Sequence, residues 1–215
     1  MSSKQSVSAT ELMRETEREM LRRLRDNPSA VFAVRLASFA QQKADVIAEE
    51  AVTRGVRFAC AKGCSYCCSL EVNSYPQETF RIARELSGRA DVQAVVAKLS
   101  EHAERNPAGT DRLQREPCPF LVDQACSIYE VRPLACRKCV SLDVERCRQM
   151  SETVPGDAEM YYKTEAVTLG MKAAYARNKR PSEPSELVSS VLKAMNDPTA
   201  EQRWWHGENV FDAAE

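Results

Sequence analysis

Four cysteines within nine consecutive residues constrain this chain more than any other feature of its sequence. They are Cys60, Cys64, Cys67 and Cys68. The other cysteines of the chain form a second group, which consists of Cys118, Cys126, Cys136, Cys139 and Cys147. Clustered cysteines in a reducing compartment more often bind metal or carry out redox chemistry than form disulfides. We therefore expect the chain to fold so that the two groups meet around a metal.

The composition is that of an ordinary globular protein. Of the 215 residues, 43% are hydrophobic and 28% are charged, and the formal net charge is −1. This balance gives no indication of a nucleic-acid or membrane surface, so we expect neither partner. The polar residues 1–10 and the charged segment after them lack the apolar core of a signal peptide, which leads us to expect a cytoplasmic location.

The apolar residues recur mostly at helical spacing, which predicts a mainly α fold. Thr10, Ser74 and Asp157 are the expected N-terminal caps of three of the helices. A short β-hairpin is expected from segments 120–122 and 125–129 across Asp123 and Gln124, as the only β structure. Helices are predicted over residues 10–26, 30–54, 75–87, 91–105, 133–150, 157–178 and 185–196.

The predicted architecture is a compact helical domain with a short β-hairpin or irregular cysteine-rich loops around a metal site. Residues 1–28 are expected to form an N-terminal helical arm, and residues 29–215 a single cysteine-cluster domain with its core at about 55–150. Two interpretations of the arm remain open. It is either a solvated helix packed on the body or a helix that binds an unknown protein partner or a second copy.

The spacing of the first cysteine group is suited to metal chelation. Cys64 and Cys67 form a Cys-x2-Cys pair, in which a turn brings both sulfurs to one ion, and Cys60 is close enough to add a third. Cys67 and Cys68 are adjacent, and adjacent side chains point in different directions on a helix or a strand. Either the two cysteines bind different metals, or one of them does not bind the metal directly and is a thiol beside the site or a redox-active thiol.

The second group supplies the remaining donors. Prolines on both sides of Cys118 predict an extended backbone there. On the predicted helix 133–150, Cys136, Cys139 and Cys147 would share one stripe. Arg132 and Arg137 are the best candidates among the nearby basic residues for a structural role or for hydrogen bonds to the metal-bound thiolates.

The cysteines and their surroundings resemble the CxxCxxCC family. The resemblance rests on the block from Cys60 to Cys68, on the Pro117–Leu121 segment and on the segment from Cys126 to Arg137. It implies a zinc- or iron-chelating domain, and because the same domain occurs with an iron–sulfur cluster in flagellin lysine N-methylases, it favours iron. The family's eight cysteines correspond to Cys60, Cys64, Cys67, Cys68, Cys118, Cys126, Cys136 and Cys147, which are the predicted metal ligands. Cys139 is additional, and the first spacing is x3 rather than x2.

The leading hypothesis is a cysteine-ligated metal-binding protein with a redox or protein-modification role. Its first expected cofactor is iron, as an iron–sulfur cluster, and its second is zinc, since thiolates suit both metals. The alternative is a structural zinc module that acts as a protein-interaction domain. No phosphate-binding loop, HExxH motif or Ser/His/Asp set is present, so no catalytic residue is identified and enzymatic activity is left open.

Overall fold

A computed structural model describes residues 8–60, 63–107, 110 and 114–211. The described α-helices are α1 (Ala9–Asp26), α2 (Ala30–Thr53), α3 (Pro76–Ser87), α4 (Val92–Arg105), α5 (Leu134–Lys138), α6 (Val144–Arg148), α7 (Ala158–Arg177), α8 (Leu187–Asn196) and α9 (Ala200–Trp205). The described strands are β1 (Asn73–Ser74), β2 (Leu121–Val122), β3 (Ala125–Cys126) and β4 (Ser185–Glu186). The mainly α prediction is confirmed.

Helix α1 packs closely along α7 and is a part of the main core. It begins one residue earlier than predicted. Ser8 rather than Thr10 is the cap, and it exchanges hydrogen bonds with Glu11. The two helices come so close at Gly170 that a Cβ there would lie 2.5 Å from the carbonyl oxygen of Met13. A glycine at this position is therefore required for the observed approach of the helices.

The main hydrophobic core lies between α1, α2, α7 and α9. Trp204 is fully buried at its centre, in contact with the rings of Phe80 and Tyr175, and its indole N–H donates to the carbonyl oxygen of Pro181 at 2.8 Å. Helix α9, which carries Trp204, was not predicted from the sequence. Burial of a large aromatic side chain with a satisfied N–H explains why this short helix is held in place.

A second, smaller core joins α3, α4 and α8 to the β2–β3 hairpin. Its buried side chains include Ile82 on α3, Leu99 on α4 and Val191 on α8. The predicted hairpin is present but shorter than expected, with Asp123 and Gln124 both at positive φ in its turn. Positive φ at both central residues is the geometry that twists two strands into a tight hairpin.

Three further local predictions are wrong. Residues 133–150 form two short helices, α5 and α6, because the chain leaves helical geometry at Cys139 and Asp143 caps a new helix by accepting from the N–H of Glu145. Ser74 does not cap α3, since its hydroxyl pairs with that of Thr79 at 2.7 Å. The hairpin is also not the only β structure, because β1 pairs with the distant β4.

Among the helices that the structure describes, none is both long enough and apolar enough to cross a membrane.

Candidate metal centre

The first cysteine group lies in a loop that ends in a short 3₁₀ turn, Tyr66–Ser69. Gly63 has a φ of 91°, a value that favours glycine, and it turns the chain just before Cys64. Within the 3₁₀ turn, the N–H of Cys68 donates to the carbonyl oxygen of Ser65 at 2.9 Å. This tight turn presents Cys67 and Cys68 side by side.

Cys118 and Cys126 reach the same turn from the hairpin side. The N–H of Cys118 donates to the carbonyl oxygen of Cys68 at 2.7 Å, which joins the two cysteine groups directly through the backbone. Leu121 donates its N–H to the carbonyl oxygen of Cys118 and lies opposite Cys126 in the hairpin. Both cysteines pack against the smaller core.

Helix α5 carries Cys136 and is followed directly by Cys139. The buried side chains of Glu78 and Arg137 hold this helix in place. The carboxylate of Glu78 accepts from the N–H of Leu134 at the start of α5, at 2.8 Å. The guanidinium of Arg137 donates to a carboxylate oxygen of Asp45 at 2.6 Å and to the carbonyl oxygen of Glu130 at 2.7 Å. The orientation of the Cys136 helix is therefore set by contacts with α2 and α3.

Cys60 and Cys147 are close to each other and to Cys67 of the 3₁₀ turn. The N–H of Ser141 donates to the sulfur of Cys60 at 3.2 Å, and the N–H of Ala59 donates to the carbonyl oxygen of Ser141 at 2.7 Å. Helix α6, which carries Cys147, contacts the 3₁₀ turn. The predicted sharing of one helix face by Cys136 and Cys147 is wrong, but the break between α5 and α6 still directs Cys147 toward the first group.

All nine cysteines are described, and all are free thiols. Hydrogen bonds from the thiols of Cys139 and Cys68 lower the pKa of Cys67, which makes it the thiolate of this trio. Burial raises the pKa of the Cys118 thiol to about 11. Burial likewise raises the pKa of the Cys136 thiol, with a further contribution from the nearby Cys118 sulfur. A bound metal ion would reverse this burial effect, because metal ligation favours the thiolate.

A cavity of about 460 Å³ opens beside the first cysteine group. Aromatic side chains form part of its wall, including Tyr161 and Tyr162, whose rings meet edge to face at 5.7 Å. The cysteines that line it are Cys60, Cys64, Cys67, Cys139 and Cys147. Neither the cavity nor the role of its tyrosines follows from the sequence, since both depend on the position of α7 relative to the loops.

The structure brings the eight predicted ligands into one region, and Cys139 joins them. The spacing Cys136-x2-Cys139 was the sequence signal for this ninth thiol. Arg137 is buried in its hydrogen-bond network, and Arg132 stacks on the ring of Tyr129 at 3.6 Å, so both have structural contacts. His102 is buried on α4 beside the carbonyl oxygen of Glu116.

The fit of a metal to these residues rests on donor chemistry. Nine free thiols from both groups surround the 3₁₀ turn and the two short helices, and thiolates are strong ligands of zinc and iron. Among the described residues, however, no three cysteine, histidine, aspartate or glutamate side chains are already spaced to hold one ion. Binding would therefore require the thiols to move closer together, and the identity of the ligands stays a prediction.

Comparison with known proteins shows a similarity to one family. Residues 59–155, a segment that includes every cysteine of the chain, match the model of the CxxCxxCC family, a domain proposed to chelate zinc or iron. This match covers a little less than half of the chain and confirms the resemblance found in the sequence. Neither the comparison with curated proteins nor the comparison with solved structures gave a significant match.

Proposed function

We propose that this chain binds iron, as an iron–sulfur cluster, through thiolates of both cysteine groups, and that it acts in the cytoplasm in a redox or protein-modification reaction. The observation that carries the proposal is the meeting of the two groups. The N–H of Cys118 donates to the carbonyl oxygen of Cys68, and Cys139 and Cys147 line one cavity with Cys60, Cys64 and Cys67.

Iron is preferred because the resemblance to the CxxCxxCC family favours it, and because several of the thiols face a cavity. Cluster ligation by cysteine thiolates requires no histidine or carboxylate, and this region supplies cysteines almost alone. When bound, the cluster would supply one-electron transfer. The cavity beside Cys60, Cys64 and Cys147 would give a reacting molecule access to that side of the centre.

A structural zinc module is the second candidate function. It is favoured by the position of Cys118 and Cys126, which pack against the smaller core and would form part of a closed site. A closed site with four protein sulfurs serves structure rather than catalysis. In this case the exposed, charged face of α1, which includes Arg14, Arg18 and Arg22, is the proposed surface for a protein partner.

The test is to purify the full chain without oxygen and to measure iron, zinc, acid-labile sulfide and the visible spectrum. Iron with sulfide in a coloured protein supports the cluster, and stoichiometric zinc in a colourless protein supports the alternative. The double variant Cys64→Ser/Cys118→Ser should lose the metal, whereas the control Ser127→Ala should keep it. A folded wild-type chain that holds no metal and has nine free thiols would overturn both proposals.

A further inference from the structure

Several apolar side chains that remain exposed to solvent meet at the cavity of about 460 Å³. Its volume lies in the range of small-molecule sites, which is roughly 300–1,000 Å³. Apolar surface left exposed around a concave site is typical of a binding site. The exposed apolar residues that line the cavity are Tyr66, Leu70, Val154, Tyr161 and Tyr162.

The first turn of α7 presents two aromatic rings to this cavity. Met160 is buried in the main core, and its burial fixes the rotation of the helix so that Tyr161 and Tyr162 face outward. The side chain of Tyr162 is 63% exposed, although a tyrosine ring is usually at least partly covered. The face of an aromatic ring carries negative charge density and attracts cations.

One cation of the chain already uses this wall. The ammonium group of Lys138 lies 5.3 Å from the centre of the Tyr161 ring, and it also pairs with the carboxylate of Glu165 at 2.5 Å. Among the residues that the structure describes, no cation stands over the ring of Tyr162. This second ring is therefore open to a cation that comes from solution.

The remaining charges on the wall favour the same kind of ligand. Asp157 pairs with Arg54 at 2.9 Å, so its charge is compensated. Glu152 lies exposed on the cavity wall, and within the described part of the chain it has no hydrogen bond or ion pair. The positive end of α7 would favour an anion, but Asp157 caps it by accepting from the N–H of Met160 at 2.7 Å.

We propose that the cavity binds a small organic cation, which consists of an ammonium or quaternary ammonium group on an apolar body. The ring of Tyr162 and the carboxylate of Glu152 recognise the charge, and Leu70 and Val154 contact the apolar body. The proposal concerns the cavity itself, and it holds whether the thiols carry iron, zinc or no metal.

The test compares two probes of the same shape that differ in charge. Benzyltrimethylammonium is the cation, and neopentylbenzene is its neutral counterpart, in which carbon replaces the charged nitrogen. Binding of each probe to the full chain, purified without oxygen, is measured by ligand-observed NMR. We expect the cation to bind about tenfold more tightly, since attraction to the aromatic face and to the carboxylate acts on the cation alone.

Two variants assign this preference to the proposed residues. Tyr162→Leu keeps an apolar side chain but removes the ring, and Glu152→Gln removes only the charge. Each should weaken binding of the cation severalfold and leave the neutral probe almost unaffected. The matched controls are Tyr129→Leu and Glu104→Gln, whose exposed side chains do not line the cavity and whose replacement should change neither affinity.

Equal affinity of the wild type for the two probes, or no binding of the cation, would overturn the proposal. Unchanged binding of the cation in the double variant Tyr162→Leu/Glu152→Gln, with an unaltered circular dichroism spectrum, would overturn it as well. Iron, zinc and sulfide are measured on the same samples, so that metal binding and cation binding are judged separately.

Discussion

Cys139, at the end of α5, lines the same cavity as Cys67 of the 3₁₀ turn, and the proximity of its thiol lowers the pKa of Cys67. At a pH of about 6 we expect Cys67 of the reduced, metal-free chain to be alkylated before the other cysteines, since the thiolate is the reactive form. Cys118 and Cys136 should react more slowly than Cys67, because burial raises the pKa of both thiols. Mass spectrometry of the modified peptides measures the order.

The variant Cys139→Ala tests the cause of this reactivity. Removal of the donor should raise the pKa of Cys67 and move its alkylation profile to higher pH. Cys147→Ala is the control, because Cys147 lies on the cavity wall but is not a hydrogen-bond donor that lowers the pKa of Cys67. An unchanged profile in Cys139→Ala would mean that the hydrogen bond does not stabilise the thiolate.

Metal removal should lower the stability of the chain, because a ligand that binds only the folded state stabilises it. Bound metal should raise the free energy of unfolding by about 2.7 kcal/mol when the free metal concentration is 100-fold above its Kd. Thermal unfolding of the metal-loaded chain before and after chelation, and again after metal is restored, measures the change. Identical unfolding curves in all three states would show that the metal does not contribute to folding.

Arg137 should affect metal binding through the position of α5. Arg137→Gln removes the bonds to Asp45 and to the carbonyl oxygen of Glu130, and we expect a loss of about 1–3 kcal/mol because these are hydrogen bonds of a buried charged group. Because Cys136 lies one residue earlier, metal affinity should fall as well. Chemical denaturation and metal titration measure the two effects. Arg22→Gln, which removes an exposed ion pair on α1, should change neither.

The buried carboxyl group of Glu78 should make stability depend on pH. Burial raises the pKa of Glu78 above its usual value of 4.5. The folded chain therefore holds this proton more tightly than the unfolded chain, and the resulting stabilisation is complete below pH 4.5 and is lost as pH rises through the folded-state pKa. We expect the free energy of unfolding of the wild type, relative to Glu78→Gln, to decrease as pH rises from 4.5.

Urea denaturation of both proteins over this pH range measures the decrease. Glu104→Gln is the control, since Glu104 lies exposed on α4 and its replacement should leave the pH profile parallel to that of the wild type. A parallel profile for Glu78→Gln as well would contradict the assignment of a buried, proton-retaining carboxyl group.

Gly170→Ala tests the docking of α1 on α7. The added Cβ would meet the carbonyl oxygen of Met13 at 2.5 Å and the Cβ of Thr16 at 2.9 Å, which forces the helices apart. We expect a loss of about 1–3 kcal/mol, typical of overpacking. In the control Gly88→Ala the new Cβ would lie 3.7 Å from the nearest atom, the carbonyl oxygen of Glu85. The stability of this variant should be unchanged or slightly higher. Equal stability of the two variants would contradict the close helix packing.

Local signals in the sequence were sufficient for much of the fold. The helical spacing of apolar residues located α2 and α7 to within a residue or two, and Asp157 caps α7 as predicted. The turn at Asp123 and Gln124 predicted the hairpin. These features depend on residues only a few positions apart. The spacing of the apolar residues and the capping side chains are therefore enough to predict them.

The break between α5 and α6 could not be predicted, because it depends on contacts between distant segments. Ser141 is held by backbone and sulfur bonds to Ala59 and Cys60, and these bonds replace those of a continuous helix. The pairing of β1 with β4 and the approach of α1 to Gly170 have the same origin. In each case a long-range contact outweighs a weak local preference.

By itself the sequence determined the chemistry of the site, since nine cysteines in two groups supply thiolate donors and little else. It also determined that most of the chain is helical. Only the tertiary structure decided which cysteines are neighbours: the N–H of Cys118 meets the carbonyl oxygen of Cys68, and Cys139, which had been judged additional, lines one cavity with Cys60, Cys64, Cys67 and Cys147. The reason is that the direction of a side chain depends on the backbone that carries it, and the backbone here is shaped by hydrogen bonds between segments far apart in the chain.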